Sequence, residues 1–200
     1  MMGRAQKRAI KIETIYHAAL KVFAEYGFKK ATIEDIAAEI GTAKSSLYFY
    51  IKDKRDLYDK AVAYGFMQWQ GKVRAAIAAE SDAAQQFHVM AHKAYEYLSK
   101  DRPLRKILLR DPSLFPIYPS VEDPYTDINR ASIELLKQVL KRGIDEGSFR
   151  PVDIEAVAPL LFLFYAMLIQ KTYMVPETHI AKSMFASGID LILKGLVMEA

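Results

Sequence analysis

Between residues 31 and 51, two short stretches of helical apolar spacing meet at a glycine, and this segment limits the possible folds more than any other. Residues 32–41 (TIEDIAAEIG) place Ile33, Ile36, Ala37 and Ile40 on one helical face. Thr32 offers an N-cap hydroxyl and Asp35 a carboxylate three residues on, close to a capping box. Gly41 ends that stretch. Residues 44–51 (KSSLYFYI) predict a third helix with Leu47 and Ile51 pointing inward. Helix, tight turn and helix at this spacing outline a helix-turn-helix, whose second helix enters the major groove of DNA and meets base edges with its first residues.

The residue types suit that role. Thr42, Ala43, Lys44, Ser45 and Ser46 stand where base edges would be met. A lysine can donate to guanine or to phosphate, serines serve either purpose, and the Ala43 methyl fits a thymine methyl. Tyr48 and Tyr50 carry hydroxyls suited to phosphate oxygens, with Phe49 between them on the same exposed side. Lys52 and Lys54 follow as position-fixing contacts. Thr32 sits at a helix N-terminus, where backbone N–H groups favour phosphate. Residues 1–55 hold 11 Lys/Arg against 6 Asp/Glu, whereas residues 56–200 hold 17 against 18. The whole basic excess lies beside the motif, the sign a phosphate-binding surface needs. The competing reading is a packing motif with a solvated charged face, in which Tyr48 or Phe49 is core.

The rest of the chain is helical in pattern. Ile12, Ile15, Tyr16, Ala19, Phe23 and Tyr26 form one amphipathic stripe, with Gly27 just past its last turn. After the charged turn 52–56, in which Asp53 or Asp56 is placed to cap, helical patterns cover 57–79 and 83–99. Five of the eight prolines fall between residues 103 and 124, which predicts a short helix at 104–110 and then an irregular loop. Further helices are expected at 126–146, 153–173 and 177–197. No alternating strand pattern appears, so the expected fold is all-α: a three-helix DNA-binding domain with a helix-turn-helix over residues 1–55, then a helical ligand-binding and dimerisation domain over 56–200. The sequence contains no cysteine, which excludes disulfides and thiolate metal sites. The basic N-terminus leads into an amphipathic helix rather than an apolar signal segment. The longest apolar run, residues 157–169, is 13 residues with Pro159 inside it, too short for a membrane span. A soluble, cytoplasmic protein is expected.

Residues 15–28 (IYHAALKVFAEYGF) resemble the first helix of the TetR family of bacterial transcriptional regulators. Residues 32–41 resemble the family's second helix, and 44–54 (KSSLYFYIKDK) its recognition helix and exit turn. Residues 188–196 (GIDLILKGL) are similar to its final dimerisation helix. The specific match covers about residues 10–60. Two positions depart from the family pattern: Ala43 stands where a capping serine is usual, and Ile51 where phenylalanine is usual. Thr42 is the nearest hydroxyl able to take over the cap.

The resemblance implies a homodimer, usually a repressor, on a palindromic operator, released by a small molecule. Residues 157–169 are apolar almost all round, and Leu160, Phe164, Met167, Leu168, Ile189, Leu193 and Leu196 are the expected interface, with Leu191, Ile192 and Val197 adding apolar surface. An aromatic and methionine-rich region supplies candidate lining for a largely apolar effector pocket: Tyr64, Met67, Trp69, Phe87, Met90, Tyr95, Phe115, Tyr118 and Tyr125, with Phe66 nearby. His88 and His92 share a helical face, but two histidines without a third ligand do not make a metal centre. Lys54 and Arg55 run straight into the next helix, so an effector that tilts this helix would shift the half-site spacing. No phosphate loop, metal-ligand cluster or nucleophile–base pairing is present in the pattern, so neither catalysis nor a cofactor is expected. The alternative function is an architectural DNA-binding protein without ligand control.

Overall fold

The computed structural model describes residues 4–114, 124–174 and 179–198. The described chain is helical: α1 (Arg4–Lys30), α2 (Ile33–Glu39), α3 (Lys44–Leu47), α4 (Lys54–Ala78), α5 (Ala83–Lys100), α6 (Arg102–Arg110), a single 3-10 turn at Pro112–Leu114, α7 (Thr126–Asp145), α8 (Ile154–Met174) and α9 (His179–Leu196). The all-α expectation is met. Phe149 and Val197 form an isolated antiparallel bridge, flanked by hydrogen bonds from the Arg150 amide to the Leu196 carbonyl (2.9 Å) and the Met198 amide to the Ser148 carbonyl (3.0 Å).

The helices form two compact units. The first comprises residues 1–67 and 101–111, and the second residues 68–100 and 112–200. The sequence placed a functional boundary at residue 55; by packing, the first unit also takes in the start of α4 and all of α6.

In the first unit, the α1 stripe buries Ile15, Ala18, Ala19, Val22 and Phe23. Gly27, at φ 76° and ψ 161°, breaks α1 near its end, in a backbone region that side chains avoid. α6 packs along α1. Its Leu104, Ile107 and Leu108 fall on one face and are buried, and Asp101 caps it by accepting from the Leu104 amide at 3.1 Å. Gly65 of α4 lets this packing close up: a Cβ there would lie 3.2 Å from Leu104 and 3.4 Å from Leu20. Arg110 donates to the Glu25 carbonyl (3.0 Å) and Lys106 pairs with the Glu25 carboxylate (3.1 Å), so cations of α6 meet the C-terminal, electronegative end of α1.

In the second unit the core gathers Val73 and Ile77 of α4, Phe87 and Ala94 of α5, and Leu136, Val139 and Leu140 of α7. Phe149, Ala158 of α8 and Leu196 of α9 complete it. Buried Gln86 donates to the Ile77 and Glu80 carbonyls, at 3.4 and 3.2 Å, which satisfies an amide that would otherwise be stranded. The Trp69 indole donates to the Ala94 carbonyl at 2.7 Å. Gly143 is where Phe149 seats: a Cβ on it would stand 2.0 Å from the ring. An 18-residue window of α8, Ile154–Lys171, is long and apolar enough by composition to cross a membrane, yet only 11% of it is buried within the single chain. The helix thus exceeds the 13-residue run seen in the sequence, because Ile154 and the turn after Ile169 extend it.

Candidate DNA-reading interface

The capping box expected at α2 is present. The Thr32 hydroxyl donates to Asp35 Oδ2 at 2.7 Å, the Thr32 amide to the same oxygen at 2.9 Å, and the Asp35 amide to Thr32 Oγ1 at 3.1 Å. These bonds from Thr32, its hydroxyl first, hold the Asp35 carboxyl below its usual range. The single hydroxyl proton of Thr32 is therefore committed within the box. Gly41, at φ 66°, ends α2, and the chain turns with the Thr42 amide donating to the Ala37 carbonyl at 2.9 Å.

α3 differs from expectation in two ways. It spans Lys44–Leu47, rather than running to residue 51, and Tyr48, Phe49 and Tyr50 form the turn that follows. The Tyr50 amide reaches back three residues to the Leu47 carbonyl (2.8 Å), and the Ile51 amide reaches four residues to the same oxygen (3.2 Å). This tightened last turn brings the chain round to α4. Ala43, not Thr42, is the N-cap residue, in an extended conformation and without a side-chain bond. Leu47 and Ile51 are buried, as expected from their spacing.

The outer face is left open. Tyr48 is 47% exposed and Phe49 80%, so the core role weighed for them does not hold. Ala43, Lys44 and Ser45 are exposed, with Thr42, Ser46 and Tyr50 half-exposed. Lys44 Nζ lies 2.5 Å from Glu34 Oε1 and 5.9 Å from the centre of the Tyr48 ring. The bond from Lys44 keeps the Glu34 carboxyl below its usual range, and Glu34 in turn raises the lysine. Lys11, near the start of α1, sits 5.6 Å over the Tyr50 ring. Nothing in local spacing signalled either partner, because Glu34 and Lys11 belong to other helices.

Past the turn, the side chains divide. Lys52 is exposed, and its amide donates to Asp56 Oδ2 at 2.9 Å, while the Asp56 amide donates to Asp53 Oδ1 at 2.9 Å. Both aspartates therefore serve the start of α4. Lys54 turns inward instead, donating to the Ala31 and Lys29 carbonyls at 3.1 and 3.3 Å and lying 4.8 Å over the Phe28 ring. It closes the end of α1 rather than projecting to a ligand. A cleft of about 570 Å³ opens beside it in the first unit, lined by Phe23, Tyr26, Phe28, Tyr58, Ile107 and Arg110 among others, and includes none of the aromatic residues put forward for effector binding.

Those residues are spread over both units. In the first, Tyr64 hydrogen-bonds His17 Nε2 at 3.1 Å and lies tilted against the Tyr16 ring, 5.7 Å between centres, and Met67 is exposed. In the second, Phe87 and Tyr125 are buried, with Phe87 set edge-on to Phe149, while Trp69 and Met90 pack against the core. Tyr95 stacks on Phe185 at 4.6 Å, and His92 and Tyr165 meet the same ring. Phe185 and Tyr165 were not singled out from the sequence, although both continue helical apolar spacing. Phe115 and Tyr118 lie outside the described residues. The His88 and His92 rings lie tilted with centres 4.2 Å apart, and among the described residues no third metal-ligating side chain joins them.

Of the expected interface residues, Leu160 is 62% exposed, Phe164 and Met167 are also exposed, and Leu168 seats on Gly188. Leu193 is half-buried; Ile189 and Leu196 are buried within their own unit. On α9 it is Leu191, 72% exposed, that faces out.

The model of bacterial regulatory proteins of the tetR family matches residues 15–61, the segment that carries the later part of α1, the helix-turn-helix and the start of α4. Residues 15–61 are a TetR-family DNA-binding domain. The protein is a DNA-binding transcriptional regulator, in a family of regulators rather than enzymes. It is similar along almost its whole length to the fatty acid metabolism regulator protein of Bacillus subtilis, 22% identical over 195 residues that cover 96% of this chain and 97% of that one. The transcriptional repressor KstR2 of Rhodococcus jostii is 27% identical over 140 residues, 68% of this chain and 67% of the relative. Among solved structures, FadR from Bacillus subtilis in complex with stearoyl-CoA has the same fold, with a TM-score of 0.75 at 20% identity, covering 91% of this chain and 97% of that one.

Proposed function

We propose that the regulator is a homodimeric repressor that leaves a palindromic operator when a small, largely apolar effector binds its second unit. The observation that carries the reading is α8, an apolar helix whose Leu160, Phe164 and Met167 stripe lies open in the single chain. Spacings of four and three put these residues on one face, and a second copy's identical stripe covers it with two-fold symmetry. Two copies present two recognition elements, which fits a palindrome with half-site centres about 34–36 Å apart or a multiple of it. Residues 1–55 act as the DNA-reading module and residues 56–200 as the effector and dimerisation module. The protein works where the operator is, in the cytoplasm.

At the DNA, Lys44, Ser45, Ser46 and Ala43 meet base edges. Thr42, Tyr48, Tyr50 and Lys52 hold phosphates, and the amide end of α2 at Thr32 flanks them. Repression is supported by the relative named a repressor, and an apolar effector by the FadR structure that contains stearoyl-CoA. The aromatic cluster of Tyr95, Tyr165 and Phe185, with Trp69 and Met90 packed against the same core as Tyr165, provides the apolar chemistry such a ligand requires. α4 carries the signal: it is one uninterrupted helix whose residues belong to both units. An effector that binds one conformation better shifts the population away from the operator-bound form.

The test is a titration of the full-length protein against a duplex from its own upstream region, read by fluorescence anisotropy at fixed salt. A saturable complex at least a hundredfold tighter than on random DNA, released by stearoyl-CoA or shorter acyl-CoA thioesters, is the expected outcome. Equal affinity for both duplexes would make the protein an architectural DNA binder. Release by none of the thioesters, despite their tight binding, would remove the ligand switch.

A further inference from the structure

We propose that Phe49 is a specificity residue that reads the C5-methyl of one thymine in each operator half-site; this rests on the DNA-reading role proposed above. Phe49 is the most exposed large apolar side chain among the described residues, at 80%. It does not protrude at random. The tightened turn after α3 keeps helical backbone, with Tyr48 at φ −66° and ψ −9°, so the register of α3 carries on through residue 49. At about 100° per residue through α3 and about 120° through the tightened turn, Phe49 falls roughly 40–80° from Ser45 and about 120–160° from buried Leu47. It therefore extends the base-facing side of the recognition element by one turn.

Its neighbours are differently equipped. The Tyr48 ring has Lys44 Nζ 5.9 Å above it and the Tyr50 ring has Lys11 Nζ at 5.6 Å, and both end in hydroxyls that can bond phosphate oxygens. Phe49 has no polar atom and can hold no phosphate. On the wall of the major groove the thymine methyl is the one large apolar base-edge group; the others are hydrogen-bond donors, acceptors or small C–H edges. A phenyl ring pressed into that groove desolvates polar edges without compensation unless it meets that methyl. The other large apolar surface within reach is deoxyribose carbon, which is the same at every step and gives no sequence preference.

The experiment uses the full-length protein. An operator is first selected from random duplexes, and each thymine of the consensus is then replaced symmetrically by deoxyuridine, which removes only the methyl. One thymine pair is expected to be sensitive, with affinity falling about fourfold per methyl and about fifteenfold for both half-sites together, from the burial of one methyl-sized group. Phe49→Ala should bind the all-thymine operator correspondingly less well and lose the sensitivity at that pair alone, while Phe49→Leu keeps part of it. Melting temperatures unchanged from wild type establish that both variants fold, as the exposure of the side chain leads one to expect. Phe49→Ala that retains the deoxyuridine effect overturns the inference. So does an affinity loss in Phe49→Ala with no sensitive thymine in the wild type, which is the signature of a sugar contact. Failure of the wild type to select any sequence would instead overturn the operator-binding function itself.

Discussion

Lys44, the first residue of α3, is held 2.5 Å from Glu34 of the preceding helix, so a cation proposed above to meet base edges is already paired with an acid. The pair is solvent-exposed and adds little to stability. In the proposed DNA complex, Glu34 must give up Lys44 or be carried towards phosphates with it. Glu34→Gln should therefore tighten binding to operator and random duplexes alike, about two- to fivefold at low salt and less at high salt. Lys44→Ala should weaken binding. If the lysine meets phosphate, the salt slope falls by about 0.9; if it meets guanine, discrimination at one base pair relaxes. Anisotropy titrations across a salt series measure both.

Ala43 caps α3 with no side-chain acceptor for the free N–H groups of a four-residue helix. Ala43→Ser should supply that acceptor and stabilise the first unit by about 1 kcal/mol. A rise in melting temperature of the full chain without DNA is the expected readout, and an unchanged or lower one would mean that Thr42 or water already serves those groups.

Gly143 stands against Phe149 with no room for a methyl, the added Cβ falling 2.0 Å from the ring. Gly143→Ala should force Phe149 out of the core and destabilise the second unit by about 1–3 kcal/mol, seen as a lower urea midpoint. A substitution tolerated without loss would mean that Phe149 repacks freely.

Leu160 and Met167 lie on the open stripe of α8. Leu160→Glu with Met167→Glu places two like charges on a surface that the proposed dimer buries against itself, so light scattering at micromolar concentration should give the monomer mass of 22.7 kDa. Operator affinity should fall with it. A wild-type protein that is itself monomeric at that concentration would show that α8 is covered some other way.

Burial, and then the nearby His88, lowers the proton affinity of His92 from its ordinary value of 6.5. A histidine whose folded form resists protonation contributes stability above the unfolded value and loses it as pH falls below 6.5, because the unfolded chain takes up the proton first. Urea midpoints should therefore decline from pH 7 to pH 5. In His92→Gln that decline should be shallower; an identical slope would assign the acid sensitivity to other groups.

Most features governed by interactions within four or five residues were legible in the sequence, although the early end of α3 at Leu47 and its cap at Ala43 were not. The capping box of Thr32 and Asp35, the stop at Gly41, the break at Gly27 and the inward Leu47 and Ile51 are all local, set by backbone hydrogen bonding and by the 3.6-residue helical period. The basic excess beside the helix-turn-helix is local as well. Contacts between residues far apart in the chain were decided only by tertiary packing. The segment of α6 reads in sequence only as a short helix at 104–110 before an irregular loop, yet it completes the core of the first unit through Leu104 and Ile107. Lys54 reads as a DNA contact and is drawn instead to the carbonyls at the end of α1. On α9, spacing alone marks Ile189, Leu191 and Leu196 equally as apolar, and the packing partners select Leu191 for the outside. Periodicity states that a helix has an apolar face; which neighbour covers that face depends on burial summed over the whole chain, and only the folded structure carries out that sum.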